Sequence, residues 1–412
     1  MKVNIHTALK VPATNEERVR LRPIARNTEK YQQMLRELEE MVVFADELGY
    51  DSFSVPEHHL HNEGLVMSPN SMLLYSKLAA MTKQIAFMPH SMVLPARNPI
   101  HVAEDIAIFD NLYPGRVKIG FARGYQKRWM QTLMQTELAA SSVTDRESDV
   151  ANREIFNEHL DIVMKALTED AFRYEGKHFK IPYPLEGIGG WAGHEITRAW
   201  GAKGEVDEDG VVQKVGVIPA PLTKPHPEMF IPVSGSPATM IEAARRGFTA
   251  VMLESKPEKF AELCRNYQRY LQEAGHEAGL GDKVGAVRLV ALGNSFEEAM
   301  EHAANTAGWD FWNYFGKFGF MEPFRMESDP PGQFVQLKDK YATAQRLLDA
   351  GHLLAGTPDD VRRQVEDLHG IHGNDGELDW FSWTFYAQGN VGVDEQKRQL
   401  ELFADKVLPD FR

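Results

Sequence analysis

Apolar positions along this chain switch repeatedly between strand-like runs and helical spacing. Val3 to His6 is a short first strand. Tyr31 to Leu48 then places Met34, Leu35, Leu38, Met41, Val42 and Ala45 on one helical face, closed by Gly49. Asp51 to Val55 reads as a second strand, and Asn70 to Met81 as a helix with Leu73, Leu74, Leu78 and Ala79 on its apolar side. Gln84–Met92 and Arg116–Phe121 are the third and fourth strands, separated by a helix over Ile100–Leu112. A helix over Arg153–Leu167 follows. Strands at Met229–Val233, Ala250–Leu253, Val284–Leu292 and Leu378–Thr384 then alternate with helices over Ala238–Arg246, Pro257–Ala274, Ser295–Ala307 and Asp394–Lys406. Leu354-Ala355-Gly356 leads into one more helix start at Thr357-Pro358-Asp359-Asp360, with Thr as N-cap, Pro at the first helical position and acids facing the helix dipole.

Continuous strand–helix alternation implies a parallel sheet with right-handed crossovers. Eight strand candidates, with no Gly-rich dinucleotide fingerprint after the first, favour a closed α/β TIM barrel, (β/α)8, over an open doubly wound sheet. The chain is expected to form one domain over residues 1–412, interrupted twice. Tyr174 to Pro227 is rich in Gly and Pro, carries GIGGWAGHE and the acidic GEVDEDG, and holds two short β-like runs. It reads as an insertion after strand four, a small hairpin lid. Asn305 to Asp349, rich in aromatics and Pro, is a second irregular insertion, after strand seven. The stretch from Gly124 to Ser148 is polar and less regular.

Composition narrows the function. Of the 412 residues, 43% are hydrophobic and 25% charged, the balance of a soluble globular protein. A net charge of −14 argues against a nucleic-acid backbone as partner, which requires clustered Lys and Arg. No run approaches the 18 or so uninterrupted apolar residues of a membrane span. The start, MKVNIHTALK, lacks the apolar run of a secretory signal, so a cytoplasmic location is expected. The one cysteine, Cys264, has no internal disulfide partner and reads as a thiol packed in a helix.

Active sites of such barrels lie at the C-terminal ends of the strands. After the second strand stand Glu57-His58-His59, then Leu60 and His61. Imidazole titrates near neutrality, which suits acid–base work or a cofactor contact. The HExxH zinc spacing is absent, so no metal site is expected. After the third strand, His90-Ser91 leaves room for a planar ligand, or is a satisfied histidine in a turn. After the fourth, Ala122, Arg123, Gly124 and Tyr125 place a planar donor fork beside a permissive backbone, suited to an anion or to a surface ion pair. After the fifth, Ser234-Gly235-Ser236-Pro237-Ala238-Thr239 runs into a helix, as a phosphate site or as N-capping by Ser236. Arg153, at the start of its helix, reads by itself as a solvated residue. Trp309, Trp312, Tyr314 and Phe315 are candidates for a substrate wall or for packing.

Together these pieces resemble the bacterial luciferase-like flavin-dependent monooxygenases. The carriers are FSVPEHHL with the later MSPN, MVLPARNPIHVAEDIAIFDNLYPGRVKIGFARGY, VSGSPAT with AARRG, and GTPDDV. The resemblance implies a (β/α)8 barrel that binds reduced FMN, activates O2 as a peroxide at the flavin C4a position and inserts one oxygen atom into a small organic substrate. It makes His58 the catalytic histidine, with Glu57 in support. It places the phosphate at Arg123, Arg153, Ser236 and Thr239, and His90-Ser91 beneath the flavin ring, where relatives can carry a non-proline cis peptide. Ala122, Tyr125, Ser234 and Gly235 belong to the same cofactor surroundings. Luciferase has a reactive cysteine at the place of Ala122 and a glutamate at the place of Gly235, which argues against light emission here. The resemblance also implies a separate NAD(P)H:flavin reductase and a homodimer. A deazaflavin (F420)-dependent hydride transferase on the same barrel and a non-catalytic flavin-binding protein are the alternatives.

Overall fold

A computed structural model describes residues 1–141 and 145–412; residues 142–144, inside the polar stretch 124–148, lie outside the described residues. Twelve strands occur among the described residues: β1 (Lys2–His6), β2 (Ser52–Ser54), β3 (Ala86–Phe87), β4 (Met92–Val93), β5 (Ile119–Ala122), β6 (Tyr174–Glu175), β7 (Lys180–Ile181), β8 (Met229–Val233), β9 (Thr249–Met252), β10 (Val284–Leu292), β11 (Leu353–Gly356) and β12 (Trp380–Thr384). The chain forms two compact units, one from residues 1–90 with 229–412 and one from residues 91–228.

The first unit is built on a parallel sheet in the order β3-β2-β1-β12-β10-β9-β8, with β11 also paired to β10. β10 is long because its two halves serve different neighbours. Val284–Ala286 pairs with β9 and Gly285–Arg288 with β12, whereas Leu289–Leu292 pairs with β11. Every residue of β10 is buried, which explains its unbroken apolar run. The helices follow from their faces and caps. Thr28–Glu47 buries Met34, Leu38, Met41, Val42 and Ala45, with Asn27 as N-cap. At its far end Asp46 accepts backbone N–H bonds from Lys83, Gln84 and Ile85 at 2.6–2.9 Å, and so aims the chain into β3. Thr357 is the expected N-cap and forms a capping box with Asp360, with Pro358 at the helix start.

The structure departs from the sequence expectations in places. Leu353–Gly356 is a strand rather than a lead-in, because β10 offers it a free upper edge. The strand expected over 84–92 is split into β3 and β4, with Pro89, which has no N–H to donate, in the gap. The segment 305–349 is less irregular than its composition suggests. It continues the preceding helix through a π-helical turn, Ala304–Gly308, into Trp309–Asn313, and later forms the helix Lys340–Asp349, N-capped by Asp339.

The second unit holds the parallel pair β4–β5, the long helix Arg146–Thr168 and the antiparallel hairpin β6–β7. Isolated bridges join Phe172 to Val215 and Val212 to both Ile188 and Val206, so the Gly- and Pro-rich segment is a small β-structured excursion. Within 124–148 a helix, Lys127–Met134, buries Trp129 and Met130 against Val93 and Ala139. No described helix is long and apolar enough to cross a membrane.

His352, beside β10, is buried against Phe324 and Phe311, and burial with nearby Arg288 draws its pKa down to about 3. The folded state therefore refuses a proton that the unfolded chain accepts below its ordinary value near 6.5. Stability should fall as pH drops from about 6.5 towards 3. The His352→Leu protein should lose stability less steeply across that window, as measured by urea unfolding at several pH values. Parallel curves for the two proteins would show that this histidine is not held neutral by the fold.

Candidate active site

The ends of β1 and β2 carry the histidines. His6, the last residue of β1, lies 2.9 Å through Nδ1 from Ser54 Oγ, and Ser54 Oγ accepts from Asn4 Nδ2 at 2.9 Å. Asn4 also donates to Ser382 on β12 and accepts from Ser52. This network lies across the three neighbouring strands and holds the His6 end in register. The His6 ring meets His90 edge-on at 4.8 Å between centroids. Burial draws the His6 pKa well down, and His90 and His58 lower it further, so it is neutral near pH 7. Burial alone draws His90 down to about 4, and its Nε2 is buried with no hydrogen-bond partner among the described residues. A neutral imidazole edge with an unused nitrogen is a place for a polar ligand atom.

The loop after β2 brings in the rest. Leu60 and Val66 both take left-handed backbone conformations, with φ of 63° and 53°. That conformation is uncommon for residues with branched side chains and is often held at functional sites. The loop is tied down by His58 N–H to Ser68 O, Met67 N–H to Leu9 O and Val11 N–H to Gly64 O. His58 is buried and its ring sits 5.6 Å, edge-on, from that of His61. Glu57, also buried, pairs with His59 through Oε1 at 3.0 Å from Nε2, so its carboxylate serves the half-buried His59 two residues on. Among the described residues no group of three or more His, Cys, Asp or Glu is placed to hold a metal ion.

The turn after β8 is in the same unit. Ser236 occupies the N-cap position of helix Pro237–Arg245, yet its side chain makes no capping bond. The simple capping role is thereby corrected: the Ser236 hydroxyl does not take up the N–H groups of the first turn. Gly235 has φ of +103°, and a Cβ there would meet no heavy atom within 4 Å, so space is open beside the turn. Ser234 is exposed, and Thr239 is half-buried in the first turn of the helix. Backbone donors of such a turn suit a phosphate.

The second unit holds the arginines. Arg123, just beyond β5, binds Asp149 Oδ1 at 2.8 Å, and Arg153 approaches Asp149 Oδ2 at 3.3 Å. Ser141 Oγ also donates to Asp149. Burial and then Arg153 draw the Arg123 pKa down. Burial pushes Asp149 up, but the two arginines hold it below the usual carboxylate range. Two guanidiniums on one carboxylate leave positive charge in excess, which suits a dianion. Arg153 is not at a helix start, as its sequence position suggested. Asp145 caps the helix through Ser148 N–H, so Arg153 lies about two turns inside, one turn beyond Asp149. The backbone is placed by Asn152, whose Nδ2 donates to both Arg123 O and Ala139 O. Gly124 has φ of +76°, and a Cβ there would run into Met130 and Val93. Tyr125, half-buried, accepts from Gln126 at 3.0 Å, and Ala122 ends β5 and packs against the Val93–Trp129 cluster. Ser91 is half-buried. The His90–Ser91 peptide is not cis; the cis bonds of the described residues all precede proline.

Sequence reasoning passed over His6, although the rule of inspecting strand ends would have found it at the end of β1. It also missed Asn4, Ser54 and Ser382, whose small polar side chains carry no signal until the strands are side by side.

The first unit thus offers a cluster of histidines and a phosphate-type turn, and the second unit a diarginine cluster. The sequence matches the model of the luciferase-like monooxygenase family over residues 20–188 and 194–374. It is 24% identical over 380 residues to 3,6-diketocamphane 1,6-monooxygenase of Pseudomonas putida, covering 89% of this chain and 90% of that one. The fold matches that of the oxygenating constituent of 3,6-diketocamphane monooxygenase from the CAM plasmid of the same organism, a type II Baeyer–Villiger monooxygenase in complex with FMN. The TM-score is 0.69 at 20% identity, over 100% of this chain and 99% of that one. It also matches the coenzyme F420-dependent tetrahydromethanopterin reductase of Methanopyrus kandleri, with a TM-score of 0.62 at 14% identity, over 100% and 99% of the two chains. With a family match over most of its length, the chain belongs to the luciferase-like monooxygenases.

Proposed function

We propose that this protein is a reduced-FMN-dependent monooxygenase that places one oxygen atom from O2 into a small organic substrate. The observation that carries the reading is the histidine centre at the ends of β1 and β2, with His58 buried and His90 Nε2 unused, in a chain of this family. Bound reduced flavin would supply the activation of O2; the protein supplies position, protons and exclusion of water. His58 is the proposed catalytic residue, holding or moving a proton at its imidazole, and Glu57 and His59 brace its loop. His90 and Ser91 are proposed contacts of the flavin ring, and Ala122 and Tyr125 are proposed contacts of the cofactor. Arg123 and Arg153, and the turn of Ser234, Gly235, Ser236 and Thr239, are proposed partners of the phosphate. With this goes the reading of the chain as one (β/α)8 barrel domain carrying 174–227 and 305–349 as insertions. A separate NAD(P)H:flavin reductase, a homodimeric state and a cytoplasmic location complete the proposal.

The test is direct. Anaerobically reduced FMN is mixed with the protein and O2 in the presence of ketones, aldehydes, sulfur compounds and amines in turn, and products are identified by mass spectrometry with 18O2. One 18O atom should appear in product. The His58→Ala protein should bind FMN nearly as the parent does and lose about 100-fold or more in product, as expected when an acid–base group is removed. Unchanged turnover would remove His58 from the mechanism. Binding of F420 in preference to FMN, with hydride transfer and no 18O, would replace the proposal by deazaflavin chemistry.

A further inference from the structure

We propose that Tyr314 is a positioning residue for His58, acting through His61 and so tying the aromatic segment after β10 to the proton-handling centre. The inference rests on the function proposed above for His58. Tyr314 and His61 are 253 residues apart, yet the Tyr314 hydroxyl lies 3.0 Å from His61 Nδ1, with ring centroids 5.8 Å apart. The His61 ring in turn meets the His58 ring edge-on. A phenol donates to a bare imidazole Nδ1 or accepts from Nδ1–H, and in either case the contact ties the His61 tautomer to the place of the Tyr314 hydroxyl. One hydrogen bond thereby sets both the tautomer and the rotation of the ring that His58 packs against.

Tyr314 is itself held. Its ring contacts Phe315 and Phe318, each at 5.2 Å between centroids. It follows directly on helix Trp309–Asn313, whose Asp310 forms a buried ion pair with Lys10, four residues beyond β1. Asn390 donates to the same carboxylate at 3.0 Å. The segment is therefore anchored at one point by charge and touches the histidine loop at the next by a hydrogen bond. Anything that packs on the Trp309–Phe320 segment and shifts it would move His61, and through it His58. Among the described residues His6 interacts electrostatically with His58, and Glu63 Oε2 lies 3.9 Å from His61 Nδ1.

The test uses three proteins, Tyr314→Phe, His61→Gln and the double variant, each labelled with 15N-histidine and free of flavin. The His58 resonance is assigned by its loss in His58→Ala. In Tyr314→Phe the His58 titration midpoint should shift by about 0.5 pH unit or more. His61→Gln should shift it too, and the double variant should match His61→Gln, since the two residues act in series. With reduced FMN and O2 but no substrate, Tyr314→Phe should release hydrogen peroxide about 10-fold faster, while FMN affinity stays within about twofold, as a misplaced group costs rate more than binding. A wild-type His58 titration in Tyr314→Phe overturns the proposal. If Tyr314→Phe does not fold, a wild-type His58 titration in His61→Gln overturns it equally. Failure of the unaltered protein to bind reduced FMN would sink the monooxygenase reading instead, while the titrations of the flavin-free proteins still decide the role of Tyr314.

Discussion

Asp310→Ala is expected to destabilise the protein by about 3–5 kcal/mol, the usual cost of breaking a buried ion pair from one side. Lys10 and Asp310 have side chains 1% and 2% exposed, so removing the carboxylate strands an ammonium that water cannot reach. Burial draws the Lys10 pKa down and pushes that of Asp310 up, and each charge is held by the other. The faces of Trp309 and Tyr386, each 5.7 Å from the ammonium, are a partial substitute at best. The Asn390 amide keeps Tyr386 O as an acceptor in the variant. Replacing both ions, Lys10→Met with Asp310→Leu, should recover most of the loss, because no charge is then buried. Urea unfolding midpoints at unchanged m values would measure both. A loss below about 1 kcal/mol for Asp310→Ala would mean that the pair is not desolvated. The pair joins the segment just after β1 to helix Trp309–Asn313, so the single variant should also loosen the segment that carries Tyr314.

Arg123→Met is expected to weaken FMN binding by about 10- to 100-fold, as one charge-assisted hydrogen bond contributes about 1.5–3 kcal/mol. Arg153→Met should act in the same direction. Riboflavin, which has no phosphate, is the control: its affinity should be nearly the same in the parent and the variants. Fluorescence titration of both flavins, repeated at higher salt, separates the cases. Equal losses for FMN and riboflavin would show that Arg123 supports the fold and not the phosphate. Asp149 makes the comparison sharper. It already pairs with both arginines, so each variant leaves it one guanidinium and no new unpaired carboxylate.

The family was legible in the order of local motifs. Glu57-His58-His59, the Arg123-Gly124 turn and Ser234-Gly235-Ser236 each stand just after a strand, and the strands are found from apolar runs. What such reading handles poorly is any residue whose meaning is a contact. His6 is an unremarked residue at the end of β1 until its ring meets His90. Glu57 looks like a partner for its neighbour His58, yet in the loop its carboxylate lies against His59, because residues two apart on an extended segment share a side. Arg153 seems to open a helix only when Asp145 is not recognised as the cap. The segment 305–349 reads as irregular because its helices are short and joined by a π-helical turn, so helical spacing never runs long enough to show.

By itself the sequence determined the alternation of strands and helices, the parallel sense of the sheet and the set of strand-end residues from which a site is made. These follow from hydrophobic period and caps, which act within a few residues. Only the tertiary structure decided that Lys10 and Asp310 share one buried charge pair and that Leu353–Gly356 completes the upper half of β10. It likewise decided that the Tyr314 hydroxyl ends 3.0 Å from His61. Those contacts join residues from 64 to 300 positions apart. The desolvation and hydrogen-bond energies that select them exist only once the sheet has brought the strand ends together.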